Sequence, residues 1–589
     1  MTSYRDASLP TDERVDDLLA RMSLEEKLAQ LGCVWSTALL RDGGFDSDLA
    51  GAAMEHGIGQ ITRIGGATGL TPRAIAALNN AVQRVAVEET RLGIPVFVHE
   101  EAVGGFCARG ATVFPQGLGL ASTWNTDLVE EVAGIIRQQL LAVGGRVALA
   151  PVLDVARDPR WGRVEETYGE DPMLNGAIGC AYVRGLQSDD LQHGVAATGK
   201  HFLGYAMSEG GRNWNPVHLG PRELREVYAE PFAAAIRDAG LALMMNSYAS
   251  IDGQAPAGTH AILTGLLRDE LGFSGAVVAD YGAVEHLHTY HRVAATKGDA
   301  ARQAISAGLD MELPGWDYYH EPLRAEVEAG RVSIEVLDEA VRRVLRLKFQ
   351  LGLFERPYVD EEAVSGVFDT PAQRDVARCA AAQSVVLLQN DGVLPLRSDV
   401  RRIAVIGPCS DDRRVLQGDY HYPAHVEILY LPKGQEAAAR EGSLVPSGES
   451  NEKPGPYYTH HVTLLEGLRG ALPDSTEIIH ARGCAITGDD RSGFNEALAA
   501  ARGCDVAVVA LGGAQWLAAP RRVGRVQRRH GPRPNGGAER VGRGARGDRR
   551  AARGGCDQRP RAHSGPSRTP CRRAALVRAA RRGGWERGR

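Results

Sequence analysis

The sequence predicts an α/β protein in which an N-terminal TIM-like (β/α)8 barrel precedes an incomplete doubly wound α/β sandwich domain. Two observations carry that expectation. Over the first 350 residues, short apolar or β-branched runs alternate with longer helical patterns, the order of βα units in a parallel sheet. Past a break marked by Gly and Pro, apolar runs ending in Gly resume, as in a doubly wound sheet. A chain of 589 residues also exceeds one ordinary core, so more than one domain is expected.

The candidate barrel strands are 58–64, 94–99, 147–155, 195–198, 241–247, 276–279 and 309–313, close to a full set of eight. A helix is expected over 222–239, opened by Pro221 and stopped by Gly240. The run LGLFERP at 351–357 ends the barrel, taken as residues 1–356, and the polar stretch 357–380 is expected to be a linker. The second domain, 381–516, offers strands at 384–388 (SVVLL), 402–407 (RIAVIG) and 505–512 (DVAVVALG).

From Trp516 onward the composition changes to Arg, Gly, Ala and Pro without apolar periodicity, and such a stretch cannot bury a core. Residues 521–589 contain 22 Arg, no Lys and 4 acidic residues, against 46 basic and 69 acidic residues before them. Residues 517–589 are therefore expected to be an out-of-frame tail. A one-base shift between Arg522 and Glu539, with each Arg read as CGN, permits an acidic loop followed by a helix start. The competing reading is an Arg/Gly-rich RNA-binding tail.

The strongly acidic body gives no electrostatic case for nucleic acid or an anionic membrane. No apolar run reaches the length of about 18 residues that a membrane span requires. The polar, acidic start lacks the basic and apolar regions of a secretory signal, which points to the cytoplasm. Nine scattered Cys without CxxC pairs argue against a disulfide framework and a thiolate zinc site. No His/Asp/Glu cluster has metal spacing, so neither metal nor cofactor is expected. The glycine-rich segment 64–69 lacks a dinucleotide pattern and is expected to be a turn.

In a parallel barrel the residues just after each apolar run face the active site. Five runs end informatively. They place His99, Glu100 and Glu101 after IPVFV, Asp154 to Arg163 after ALAPVL, and Lys200 and His201 after VAATG. Tyr248 follows ALMMNS, and Asp280 and Tyr281 follow AVVA. Singly, each has an ordinary structural role, such as a helix cap, a solvated loop charge or a core aromatic. Their convergence on one rim is what points to chemistry.

Three of these segments carry a resemblance. PVLDVARDPRWGRVEETYGEDP at 151–172, GKHF at 199–202 and VADYG at 278–282 resemble glycoside hydrolase family 3 over most of residues 10–515. Two departures stand out. Ala279 replaces the usual Ser, and Gly104 stands where close relatives have His before Gly105. The resemblance implies a covalent glycosyl-enzyme on Asp280, with Glu101, Arg163, Lys200, His201 and Tyr248 lining the pocket for the terminal sugar. Arg157 is the alternative pocket arginine. Lys200 and Arg163 would keep Asp280 ionised, and Tyr248 could hold it by a hydrogen bond.

The expected activity is retaining, exo-acting hydrolysis of terminal β-linked glucose or xylose from a small glycoside or oligosaccharide. A second carboxyl roughly 5–5.5 Å away must protonate the leaving oxygen. By the resemblance it falls just after Leu511-Gly512-Gly513, so the chain as written is expected to lack it. The alternatives are a truncated, weakly active or inactive sugar binder and, among enzymes, a Schiff-base lyase using Lys200. The oligomeric state stays open, a homo-oligomer included.

Overall fold

The computed structural model describes residues 4–425, 459, 461–486 and 490–512. Seven parallel strands, hydrogen-bonded in chain order, form the first sheet. They are β1 (Cys33–Trp35), β2 (Gln60–Thr62), β3 (Phe97–Glu100), β4 (Val147–Ala148), β5 (Ala196–Phe202), β6 (Leu243–Asn246) and β7 (Ala276–Val278). The eighth position is a single parallel bridge between Val278 and Met311. Beyond it, the Glu312 N–H donates to the carbonyl of Leu31, just before β1, at 2.9 Å, and the ring closes. β2 to β7 are buried on both faces, which is why they read as apolar runs rather than alternating ones.

Two expectations about this sheet need correction. β1 was not expected, because three residues against a helical pattern give no periodicity to read. The predicted strand 147–155 pairs regularly over only two residues. Pro151 has no N–H to donate, so the ladder lapses into the isolated bridge Val152–Lys200.

The helix expected over 222–239 forms in three pieces. It opens at Pro221–Glu223, widens to a π turn over Leu224–Tyr228 and resumes as Glu230–Ala239. Pro231 cannot donate a helical hydrogen bond, and the wider turn ahead of it absorbs that loss. Gly240, at φ 60°, ends the element as expected.

The linker prediction is the larger error, because residues 371–383 form a helix, Pro371–Gln383. Thr370 caps it reciprocally with Gln373, and the Gln373 side chain also accepts from Thr112 (3.0 Å) and Gln139 (3.1 Å) of the barrel. Thr-Pro-Ala-Gln is a capping box legible in the sequence. Thr370→Ala is expected to cost about 1 kcal/mol in urea unfolding, the ordinary value of a lost cap.

A second parallel sheet places β8 (Arg402–Ile406) between β9 (Glu477–Ala481) and β10 (Val506–Val509). Ile403 and Val405 pack against Leu465 of helix Leu464–Ala471, and Ala404 packs against Ala500 of helix Phe494–Arg502. Alternate residues of β8 thus face helices on opposite sides, the doubly wound arrangement the sequence predicts. The run 384–388 is not a strand, and Val385, Leu387 and Leu388 are exposed. Among the described residues no chain pairs with it, and a strand needs a neighbour for its backbone groups. Residues 513–516 of the second domain and the tail 517–589 lie outside the described residues. No helix of the described residues is long and apolar enough to cross a membrane.

Candidate active site at the carboxyl end of the barrel

Asp280 stands two residues past β7. Its N–H donates to Asn246 Oδ1 at the end of β6 (3.2 Å), and its Oδ1 accepts the N–H of Tyr281 (2.8 Å). Oδ2 has no hydrogen-bond donor among the described residues and lies 3.7 Å from His201 Nε2. Burial raises the Asp280 pKa above the ordinary carboxylate value, while Arg163, Lys200 and the nearby Tyr248 hydroxyl pull it back. One carboxylate oxygen is therefore anchored and the other is left uncommitted. An undonated buried oxygen is rare, and a reacting atom is one physical reason for it.

β5 delivers Lys200 and His201. Its pairing with β6 shifts register between Gly199 and Phe202, an irregularity that re-aims side chains at a strand end. Lys200 Nζ donates to Glu101 Oε2 at 2.9 Å and lies 4.9 Å from the Tyr420 ring centroid. An ion-paired ammonium has no lone pair for an imine, which counts against the Schiff-base reading. The His201 ring is fixed on both sides. Arg163 Nη2 donates to Nε2 (2.9 Å), so Nδ1 must carry the proton it gives to Asp154 Oδ2 (2.8 Å). Burial, together with the charges of Arg163 and Lys200, pushes the His201 pKa well below its usual value, so the ring is neutral.

Glu101 and Arg163 complete the cluster. Although burial alone would raise it, the Glu101 pKa is held at about 2 by Lys200, Arg63 and His425. Arg163 makes a bidentate pair with Glu166 (2.7 and 2.8 Å), which fixes its plane beside His201. Arg157, the alternative arginine, is exposed and reaches only the Glu170 carbonyl, at 3.3 Å. The Tyr248 hydroxyl donates to the carbonyl of Tyr281 (2.7 Å) rather than to Asp280, so it braces the turn that carries the carboxylate. All six predicted site residues are thus brought to one rim.

Several neighbours were missed. Arg63 pairs with Glu101 (3.2 Å) and donates to the Tyr281 hydroxyl (2.7 Å). It follows β2 immediately, so the strand-end rule could have found it had 58–64 not been taken whole as a strand. Glu166 lies inside the quoted 151–172 segment. Glu100 accepts the amides of Gly65 (2.5 Å) and Gly66 (3.0 Å), which makes 64–69 the expected turn. A Cβ on Gly65 would stand 2.8 Å from the Phe106 ring, so only glycine fits there. Tyr420, whose hydroxyl accepts from Arg163 (3.1 Å), and His425, 3.0 Å from Arg63, come from the second domain. No signal in the barrel sequence points to them. Among the described residues no group of three or more His, Cys, Asp or Glu is placed to hold a metal ion. The expected acid/base after Gly512 lies outside the described residues.

Residues 23–347 match the glycosyl hydrolase family 3 N-terminal domain, and residues 385–530 match the family's C-terminal domain. A β-xylosidase of Formosa agariphila is 34% identical over 443 residues, covering 72% of this chain and 57% of that protein. A periplasmic β-glucosidase of Salmonella typhimurium is 31% identical, covering 86% of this chain and 63% of that protein. This chain therefore spans less than two thirds of either relative. Among solved structures, a β-glucosidase from Erythrobacter marinus is similar with a TM-score of 0.76 and 33% identity, covering 87% of this chain and 67% of the other. A β-glucosidase from Listeria innocua in complex with glucose has a TM-score of 0.70 and 29% identity, covering 86% and 65%.

Proposed function

Because this chain belongs to glycosyl hydrolase family 3, we propose that it is a retaining, exo-acting β-glycosidase that releases terminal glucose or xylose from small glycosides. The observation that carries the reading is Asp280, buried near the charges of Arg163 and Lys200 and 3.7 Å from His201, with Oδ1 anchored and Oδ2 without a donor among the described residues. In the first step Oδ2 forms a bond to the anomeric carbon as the glycosidic C–O bond breaks, and its electron pair leaves with the aglycone oxygen. In the second step water attacks the anomeric carbon as its bond to Oδ2 breaks, the carboxylate is restored, and the water's proton passes to the acid/base or, without it, to solvent.

The other residues have roles suited to a polyol. The Lys200 ammonium and the Arg163 guanidinium donate to sugar hydroxyls, and the Glu101 carboxylate accepts from them. His201, whose Nε2 accepts from Arg163 at 2.9 Å, holds that guanidinium in place beside the sugar. Natural leaving groups require a proton from the acid/base expected after Gly512. An aryl glycoside with an acidic phenol leaves without one, so it tests Asp280 separately.

The experiment is hydrolysis of 2,4-dinitrophenyl β-glucoside and β-xyloside by the full chain. Turnover of either supports the reading, and binding of both sugars without turnover leaves the sugar-binder alternative. The acid limb of kcat/KM gives a further expectation. Protonated Asp280 cannot attack and its pKa is raised, so activity should fall with decreasing pH at a midpoint above the ordinary value of 3.8. A limb below that value would place the essential base elsewhere.

A further inference from the structure

Four arginines are buried among the described residues, and three of them are neutralised. Arg14 pairs with Glu355 at 2.5 Å, Arg63 with Glu101 at 3.2 Å and Arg163 with Glu166 at 2.7 Å. The fourth, Arg146, is 7% exposed and has no carboxylate within ion-pair distance among the described residues. Its Nη2 donates to the carbonyls of Leu191 (3.3 Å), Gln192 (3.1 Å) and Leu351 (2.5 Å), and its Nε has no partner. A buried lysine such as Lys348 can shed its charge, but a guanidinium does not at neutral pH.

Arg146 does not stand alone. With Arg356 it lines a cavity of about 310 Å³ whose other walls include His193, Leu141, Leu353 and Pro357. Among the described residues no acidic one lines it. Two carboxylates touch residues of its wall, Asp190 at 3.2 Å from His193 and Glu88 accepting from the Tyr358 hydroxyl at 2.6 Å, and although the Arg356 charge acts on Asp190, neither forms an ion pair with Arg146 or Arg356. Arg356 donates to the Gln192 carbonyl (3.1 Å) and approaches His193 Nε2 (3.3 Å), which keeps its charge at the same rim. Two like charges beside one cavity repel each other, and an anion bound between them would offset that repulsion.

We propose that this cavity binds a small organic anion, with a carboxylate or phosphate head at Arg146 and Arg356 and an apolar body against Leu141, Leu353 and Pro357. Arg146 immediately precedes β4, so the site opens at the amino ends of the strands, opposite Asp280. Residues at that face of a parallel barrel serve stability rather than chemistry. The anion therefore stabilises the barrel and does not compete with sugar.

The test is calorimetric binding and thermal unfolding of the full chain with phenyl phosphate and with benzoate, against sodium chloride at equal ionic strength. At about ten times its Kd, the bound probe should raise the Tm by about 2 °C. Whichever probe binds identifies the head group. Arg356 is exposed, so Arg356→Gln keeps the fold, and it should weaken binding at least about tenfold. Asp280→Ala should leave binding unchanged. The proposal is overturned if neither probe binds, if chloride reproduces the shift, or if Arg356→Gln responds as the unaltered chain does.

Discussion

Asp280→Ala should abolish turnover of dinitrophenyl β-glycosides, lowering kcat by at least about 10⁴-fold, the scale on which removing a covalent nucleophile acts. The variant should fold, because among the described residues the carboxylate makes a single hydrogen bond, accepting the Tyr281 N–H at 2.8 Å, and its other oxygen has no donor. The nearby cations Arg163 and Lys200 keep their own partners Glu166 and Glu101, so removing the carboxyl strands neither and stability should change little. The covalent step gives a second, independent readout. A 2-deoxy-2-fluoro glycoside slows release of the sugar, so the unaltered chain should gain one glycosyl mass on the peptide containing Asp280. The variant should gain none. An adduct on another carboxylate would reassign the nucleophile, and equal turnover by the variant would remove Asp280 from the chemistry.

Lys200→Met is expected to have the second-largest effect, on stability and sugar binding together. Lys200 is buried and ion-paired with Glu101 at 2.9 Å, and removing one partner of such a pair costs about 3–5 kcal/mol. Losing a charged donor to a sugar hydroxyl should weaken binding by a further ~1.5–3 kcal/mol. The effect should also depend on pH. Glu101 is held at about 2 in the folded chain, below its ordinary 4.5, so its stabilising contribution is present above pH 4.5 and disappears as pH falls toward 2. Without Lys200, burial raises the Glu101 pKa, so the variant should lose less stability than the unaltered chain over that window. Urea unfolding at pH 7 and pH 3 measures it. A stability difference that stays constant between the two would show that Lys200 does not set the ionisation of Glu101.

Much of the barrel and its rim was legible in the sequence, and the reason is local. Each βα unit writes its own apolar run, and polar residues at the ends of those runs must face the carboxyl side of the barrel. That rule placed Glu101, Arg163, Lys200, His201, Tyr248 and Asp280 together, and the preference for Arg163 over Arg157 came from the motif that contains it. The errors have local causes too. β1 is too short to show a period, Pro151 ends a ladder inside an apolar run, and the Thr370 capping box was passed over in a stretch taken for a linker.

What the sequence alone determined is the parallel α/β architecture and the chemical types gathered at one rim, because strand periodicity and strand-end polarity are properties of short segments. Only the tertiary structure decided how those groups are paired. Arg63 meeting Glu101, the Nδ1–H tautomer imposed on His201 by Asp154 and Arg163, the Tyr248 bond to a carbonyl instead of a carboxylate, and the arrival of Tyr420 and His425 from the second domain all depend on contacts between residues far apart in the chain. The same holds for Arg146, which has no carboxylate partner among the described residues, a fact no local pattern carries. Local pattern carries no information about which charges meet across a fold, and burial makes the outcome of each meeting energetically large.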